Sequence, residues 1–266
     1  MVVAVLVGLL IGLSLGALGG GGSILTVPAL VYLVGQDAKD ATTGSLVIVG
    51  LTSLIALIPH ARAGRVRFLQ GLVFGALGIA GSFAGSALAA HVPSRVLLAS
   101  FAALMLVVAV LMFRRSSAAR NGSAPDDVIH PVIRWRPFHC DWVRVVRILA
   151  TATGVGLLTG FFGVGGGFVL VPALVLALEF SMPVAVGTSL LVIAVNSATA
   201  LTARLGQGIS LDWGVIALFT AAAILGSLAG GRVASRLPAA ALTRAFSVLL
   251  VLVALGVGGE SLLRWN

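Results

Sequence analysis

Residues 16–31 read GALGGGGSILTVPALV, and residues 160–175 read GFFGVGGGFVLVPALV. At an offset of 144 residues, Gly16, Gly19, Gly21, Gly22, Val27, Pro28, Ala29, Leu30 and Val31 all meet identical partners. Working outward at the same offset, Ser45-Leu46 meets Ser189-Leu190, Ser53 meets Ser197 and Gly64 meets Gly208. After one inserted residue, Gly81-Ser82 meets Gly226-Ser227, Gly85 meets Gly230 and Pro93 meets Pro238. Scattered Leu or Ala coincidences mean little in apolar sequence. A shared glycine cluster followed by Val-Pro-Ala-Leu-Val does not arise that way, so the chain is a duplication.

The surroundings of both copies are apolar. Hydrophobic residues make up 59% of the 266 and charged residues 9%, against about a quarter charged in soluble domains. So few charges cannot cover a globule of this size with a polar shell, and the apolar surface must meet lipid. The runs are continuous, as membrane helices require, where a β-barrel shows short alternating segments. The expected fold class is therefore an all-α polytopic membrane protein. The formal charge of +9 comes from sixteen Arg and one Lys against eight acids. These bases sit between apolar runs, so topology explains them and a nucleic-acid partner is not expected. A single cysteine, Cys140, leaves no intrachain disulfide and no cysteine-based zinc site. The apolar start Met1–Gly12 lacks a basic flank, and its counterpart lies deep inside the chain; it is not expected to be a removed leader.

Each copy divides alike. An apolar run (2–18; 148–162) meets the glycine cluster, and a shorter run follows (23–34; 167–178). Three longer segments come next: 41–58, 68–90 and 96–113, then 185–203, 213–231 and 245–263. This gives a first repeat over 1–113, a water-facing linker over 114–147 and a second repeat over 148–266. The linker carries seven Arg, three Asp and three Pro. The loops 60–67 and 232–244 and the linker hold most of the Arg, so the positive-inside rule places all three in the cytoplasm. Each copy then makes an odd number of crossings and the two are inverted. The competing layout counts residues 2–34 as one broken crossing and makes the repeats parallel.

The short segments locate a site. About twelve residues at roughly 1.5 Å each reach only about 18 Å, short of a bilayer core of about 30 Å. Glycine clusters hold helix poorly, and backbone freed in a membrane must face protein or a polar cavity. Paired glycine-broken segments are the best sequence pointer to a transporter's binding site. Gly19, Gly20, Gly21, Gly22 and Ser23 form one break, and Gly163, Gly165, Gly166 and Gly167 the other. Helices starting there aim free N–H groups and positive dipole ends at the cavity, which suits an anion. The plain alternative is close helix packing, for which glycine is common in membranes. Ser45, Thr188 and Ser189 open the next helices, and Asn196 lies mid-segment opposite Thr52. A hydroxyl in such a helix usually bonds its own backbone; a buried amide is costlier and more informative. No acid lies mid-segment, which argues against a carboxylate proton relay. There is no phosphate-binding lysine loop and no metal motif. Neither cofactor nor catalysis is expected: a Ser45–His60 hydrolase pair lacks an Asp to orient the His, and His60 is read as part of a basic loop.

The strings GALGGGGSILTVPALVYL, ATTGSLVIVGLTS, PHARAGRVRF, GFFGVGGGFVLVPALV and VGTSLLVIAVNSATAL together resemble the sulfite exporter TauE/SafE family, the toluene sulfonate uptake permeases. The resemblance spans all but the 114–147 linker. Its Gly-Thr-Ser-Leu motif stands at Gly187–Leu190 but reads Thr-Gly-Ser-Leu at Thr43–Leu46, which puts more weight on Thr188 than on Thr43. The resemblance implies a plasma-membrane permease, bacterial inner membrane in a bacterium, moving a sulfur-containing anion such as sulfite, sulfoacetate or a related sulfonate. The expected partners are that small anionic solute and membrane lipid. A passive channel for a small solute is the alternative function.

Overall fold

A computed structural model describes residues 2–36, 38–89, 91–120, 133–135, 138–140, 142–162, 167–204 and 211–263. Helix α1 (Val2–Leu18) runs into the first glycine cluster and stops at Gly19, whose φ of +71° only glycine adopts without strain. Helix α2 (Gly21–Pro28) restarts at once. Pro28 lacks an N–H, and its ring crowds the carbonyl one turn back. The backbone there widens into a π turn (Ala29–Leu33), closed by the Val34 N–H on the Ala29 carbonyl at 3.2 Å. Three long helices follow: α3 (Ala38–Arg62), α4 (Phe68–Ala89) and α5 (Ser94–Arg120). The second copy repeats the order as α6 (Trp142–Phe162), α7 (Gly167–Leu176), α8 (Met182–Arg204), α9 (Trp213–Arg236) and α10 (Ala239–Leu263). All ten segments read from the sequence are helices. Several run longer than their apolar stretch, because the helix continues through polar ends such as Arg114–Arg120. The linker is less plain than expected: strands β1 (Ile133–Trp135) and β2 (Phe138–Cys140) pair antiparallel, with Trp135 opposite Phe138.

Among the described residues, five helices contain stretches long and apolar enough to cross a membrane: Asp40–Arg62, Phe68–Gly85, Met182–Thr202, Trp213–Arg236 and Ala239–Gly256. The shorter apolar helices include Val2–Leu18, Val146–Phe162 and Gly167–Leu176. Large apolar side chains stand outward along several of these helices, with Leu10 at 67% exposed, Leu54 at 51% and Leu252 at 62%. An exposed apolar surface of that extent is a lipid-facing belt.

The packing crosses between repeats. Helix α1 lies along α9, where a Cβ at Gly12 would run into the backbone of Ala223 and one at Gly16 into that of Ser227. Helix α6 lies along α4 by the same means, Gly156 against Gly78 and Gly160 against Ser82. These are one seam used twice: Gly12 and Gly16 match Gly156 and Gly160, and Gly81-Ser82 matches Gly226-Ser227. Each repeat thus lends its first helix to the other. Helices α3 and α8, also counterparts, pack on each other. Gly50 meets Ser197, while Gly187 at the start of α8 meets His60 in the last turn of α3 and Arg65 in the loop after it; the two helices run antiparallel. Helix α7 is pinned to α5 by Phe168, edge-on to Phe101 with ring centres 5.1 Å apart.

Candidate functional site

The two helix breaks meet. A Cβ at Gly20 would land on the Gly167 carbonyl, and one at Gly167 would collide with Ser23 Oγ. Gly19 presses on Ser189, whose Oγ lies 2.5 Å from where a Cβ would sit, and on Val186 of α8. Gly19, Gly20, Ser23, Gly167 and Ser189 therefore form one crossing at the start of α2 and α7. No side chain caps α2, so its first N–H groups have no side-chain acceptor. Gly163, Gly165 and Gly166 lie outside the described residues.

Gly21 and Gly22 belong to the same cluster but face elsewhere. Gly21 looks at Leu249 of α10, and Gly22 backs onto Ile11 and Leu15 of α1. The demand for positive φ falls on Gly19 alone in this cluster. Gly20 and Gly167, which approach most closely, stand at the two positions within 19–23 and 163–167 where the repeats differ: Val164 matches Gly20 and Ser23 matches Gly167. Identity between copies therefore ranks them below their neighbours. The signal was the unbroken run of four glycines at Gly19–Gly22.

The hydroxyls are committed. Ser23 Oγ donates to the Gly20 carbonyl at 2.7 Å, Ser45 Oγ to that of Thr42 at 2.8 Å and Ser189 Oγ to that of Val186 at 2.8 Å. Each has one hydrogen, so in this state each offers a ligand only lone pairs. Thr188 Oγ1 accepts from the Arg67 N–H at 3.1 Å and ties α8 to the loop after α3. Unspent polar groups lie deeper along the helices. Thr52 Oγ1, Ser53 Oγ and Asn196 Oδ1 are buried without partners among the described residues. Asn196 sits beside Gly75 and Gly78 of α4, a turn beyond Ile193, which touches Gly167. Buried unpaired polar atoms are uncommon, so Thr52 and Ser53 join Asn196 as candidates that the repeat alignment alone does not rank.

His60 is not a loop residue. It closes the last turn of α3, is 4% exposed, and its Nε2 faces the Gly16 carbonyl at 3.4 Å. Ser45 stands fifteen residues earlier on the same helix, about 22 Å away at the helical rise. The two cannot act as a pair. Among the described residues no group of His, Cys, Asp and Glu could hold a metal ion.

Stacked apolar helices, an outward lipid belt and two helix starts that meet at the crossing define a multi-pass membrane transporter. Residues 4–257 match the family described as sulfite exporter TauE/SafE, and the chain belongs to that family. It is 32% identical over 260 residues to a probable membrane transporter protein of Xylella fastidiosa strain 9a5c, covering 97% of this chain and 94% of that one. A second relative, the probable membrane transporter protein YunE of Bacillus subtilis, is 27% identical over 270 residues, with 97% and 95% covered. No solved structure matches significantly. The protein is a multi-pass transporter of the plasma membrane.

Proposed function

We propose that the protein is a secondary transporter, not an enzyme, that moves a small sulfur-containing oxyanion such as sulfite, sulfoacetate or a related sulfonate. The observation that carries this reading is the meeting of the α2 and α7 starts at Gly20 and Gly167. Two half-helix ends supply roughly half a positive charge each. The acids of the described helices stand at element ends, Asp40 in the first turn of α3 and Asp212 capping α9. An anion gains from both helix starts, whereas a cation finds no counter-charge and loses its hydration. The family description supports a sulfur oxyanion as cargo.

Gly20 and Gly167 touch as they stand, so cargo passes only when the α2 and α7 starts part. That favours a carrier over an open pore. In this reading the repeats, 1–113 and 148–266, are inverted and the 114–147 linker is cytoplasmic. The antiparallel run of α3 and α8 supports the inversion, since counterpart helices of inverted repeats point oppositely. The common wall formed by Arg62, Arg65 and Arg232 also supports it, because the charge rule assigns both basic segments to one side.

The test is uptake into proteoliposomes with a panel of sulfite, thiosulfate, sulfoacetate, taurine, acetate and phosphate. Saturating flux with counterflow for the sulfur oxyanions is expected. Non-saturating flux would mark a channel, and preference for a cationic or neutral solute would overturn the reading.

A further inference from the structure

A cavity of about 580 Å³ opens between the ends of α3 and α9, beside the crossing and not within it. Arg62, Arg65 and Arg232 line it, with Ile55, Ile58 and Leu228 below them. Arg62 and Arg232 are exposed and Arg65 half-buried. None of the three forms an ion pair among the described residues, where the pair recorded is Arg147 with Glu179. Three unpaired guanidiniums around one hollow are an anion-binding arrangement.

Buried His60 lines the same cavity. Its Nε2 faces a carbonyl, that of Gly16; a carbonyl only accepts, so Nε2 is the nitrogen that carries hydrogen. Its Nδ1 is buried with no partner among the described residues. In the neutral ring Nδ1 then holds only a lone pair, which repels an anion. It donates to an anion only after the ring takes a second proton. The charged groups that line the cavity with it are Arg62 and Arg65, from α3 and the loop after it, and Arg232 from α9. Helices α1 and α8 present the Gly16 carbonyl and Gly187 there. The acids Asp40 and Asp212 stand at the far ends of α3 and α9.

We propose that this cavity is an oxyanion-binding site whose occupation places a proton on His60. The proposal rests on the reading of the cargo as an oxyanion. Gly16 is three residues before Gly19, so an anion seated on His60 stands next to the closed crossing. At the 144-residue offset His60 is matched by Arg204, so the corresponding position in the other repeat holds a permanent cation. A lipid phosphate shares the chemistry of a free sulfate. The free ion is favoured because the hydrogen-bonding group is the enclosed imidazole, which a headgroup tethered to the bilayer surface reaches poorly.

The test is titration calorimetry on the full-length protein in neutral detergent, with sulfate as probe, in two buffers of different ionisation heat. Saturable sulfate binding with proton uptake is expected at a pH where the free ring is neutral, with affinity falling as pH rises further. Arg65→Gln and Arg232→Gln should each weaken it about tenfold, as loss of one charge-assisted contact does. His60→Gln, which keeps a donor, should bind sulfate with no proton uptake. Absence of sulfate binding, binding without a proton, or unchanged affinity in both arginine variants with wild-type melting would overturn the proposal. So would a cavity that answers only to added phosphatidylglycerol. Uptake of oxyanions without proton-linked binding sinks this site and leaves the cargo reading standing. Proton-linked binding in a protein that transports no anion does the reverse.

Discussion

At the scale of single residues, the glycines separate into kinds that a substitution series will tell apart. Gly20→Ala puts a methyl on the Gly167 carbonyl. Two rigid backbones cannot yield there, so the cost is at the upper end of overpacking, about 3 kcal/mol, with loss of transport. Gly21→Ala meets the end of the Leu249 side chain, which can turn aside, and uptake should survive. Gly154→Ala meets nothing within 4 Å and should stabilise α6 by about 0.5–1 kcal/mol. Thermal unfolding in detergent together with uptake checks all three. Asn196→Leu removes an amide whose Oδ1 is buried without a partner among the described residues and whose NH2 is the half able to donate to an anion. As a packing residue it should be neutral or stabilising; as a contact to the anion its loss should weaken binding about ten- to a hundredfold. The expected outcome is both: an unchanged melt and weakened binding by calorimetry. The first break was legible in the sequence, because four glycines in a row hold helix poorly. Which glycine faces which neighbour was not, since that depends on the phase of α2 after the positive φ of Gly19.

At the scale of elements, the helices followed from the length of each apolar run, and the break into α2 followed from glycine chemistry. The π turn after Pro28 was less accessible: a proline in a helix announces a defect, but the neighbouring helices choose between kink, break and widening. The β1–β2 ribbon was missed because three-residue arms carry too little period-2 pattern to read. The seams give the sharpest prediction at this scale. Gly16→Val would wedge α1 from α9, and Gly160→Val would wedge α6 from α4, each against a serine backbone. Because the two seams are the same contact, the two losses of stability should be similar, each about 1–3 kcal/mol. Melting temperatures that differ widely between the two variants would show that the seams are not equivalent.

At the scale of the whole molecule, the repeat was read from the sequence, and the side assigned to each basic loop is an expectation that labelling tests. The exchange of first helices was not, because an offset between copies shows which positions correspond and not which touch. The layout is checked by labelling Arg120→Cys and Arg236→Cys, in a Cys140→Ser background, with a membrane-impermeant maleimide. Both should be protected in intact cells and both labelled in inverted vesicles; opposite behaviour of the two sites would sink the inverted arrangement. The helix exchange also bears on how the chain is made. During synthesis Gly12 and Gly16 enter the bilayer long before Ala223 and Ser227 have been translated. The first repeat must wait, its α1 groove covered by lipid or by a chaperone, until α9 emerges. Long-range pairing of this kind is slow, and an unfinished chain carries an open groove throughout that delay. Each half, expressed alone, lacks the helix that forms this seam with its own first helix, so a single repeat could fill that groove in the same way only with a second copy of itself.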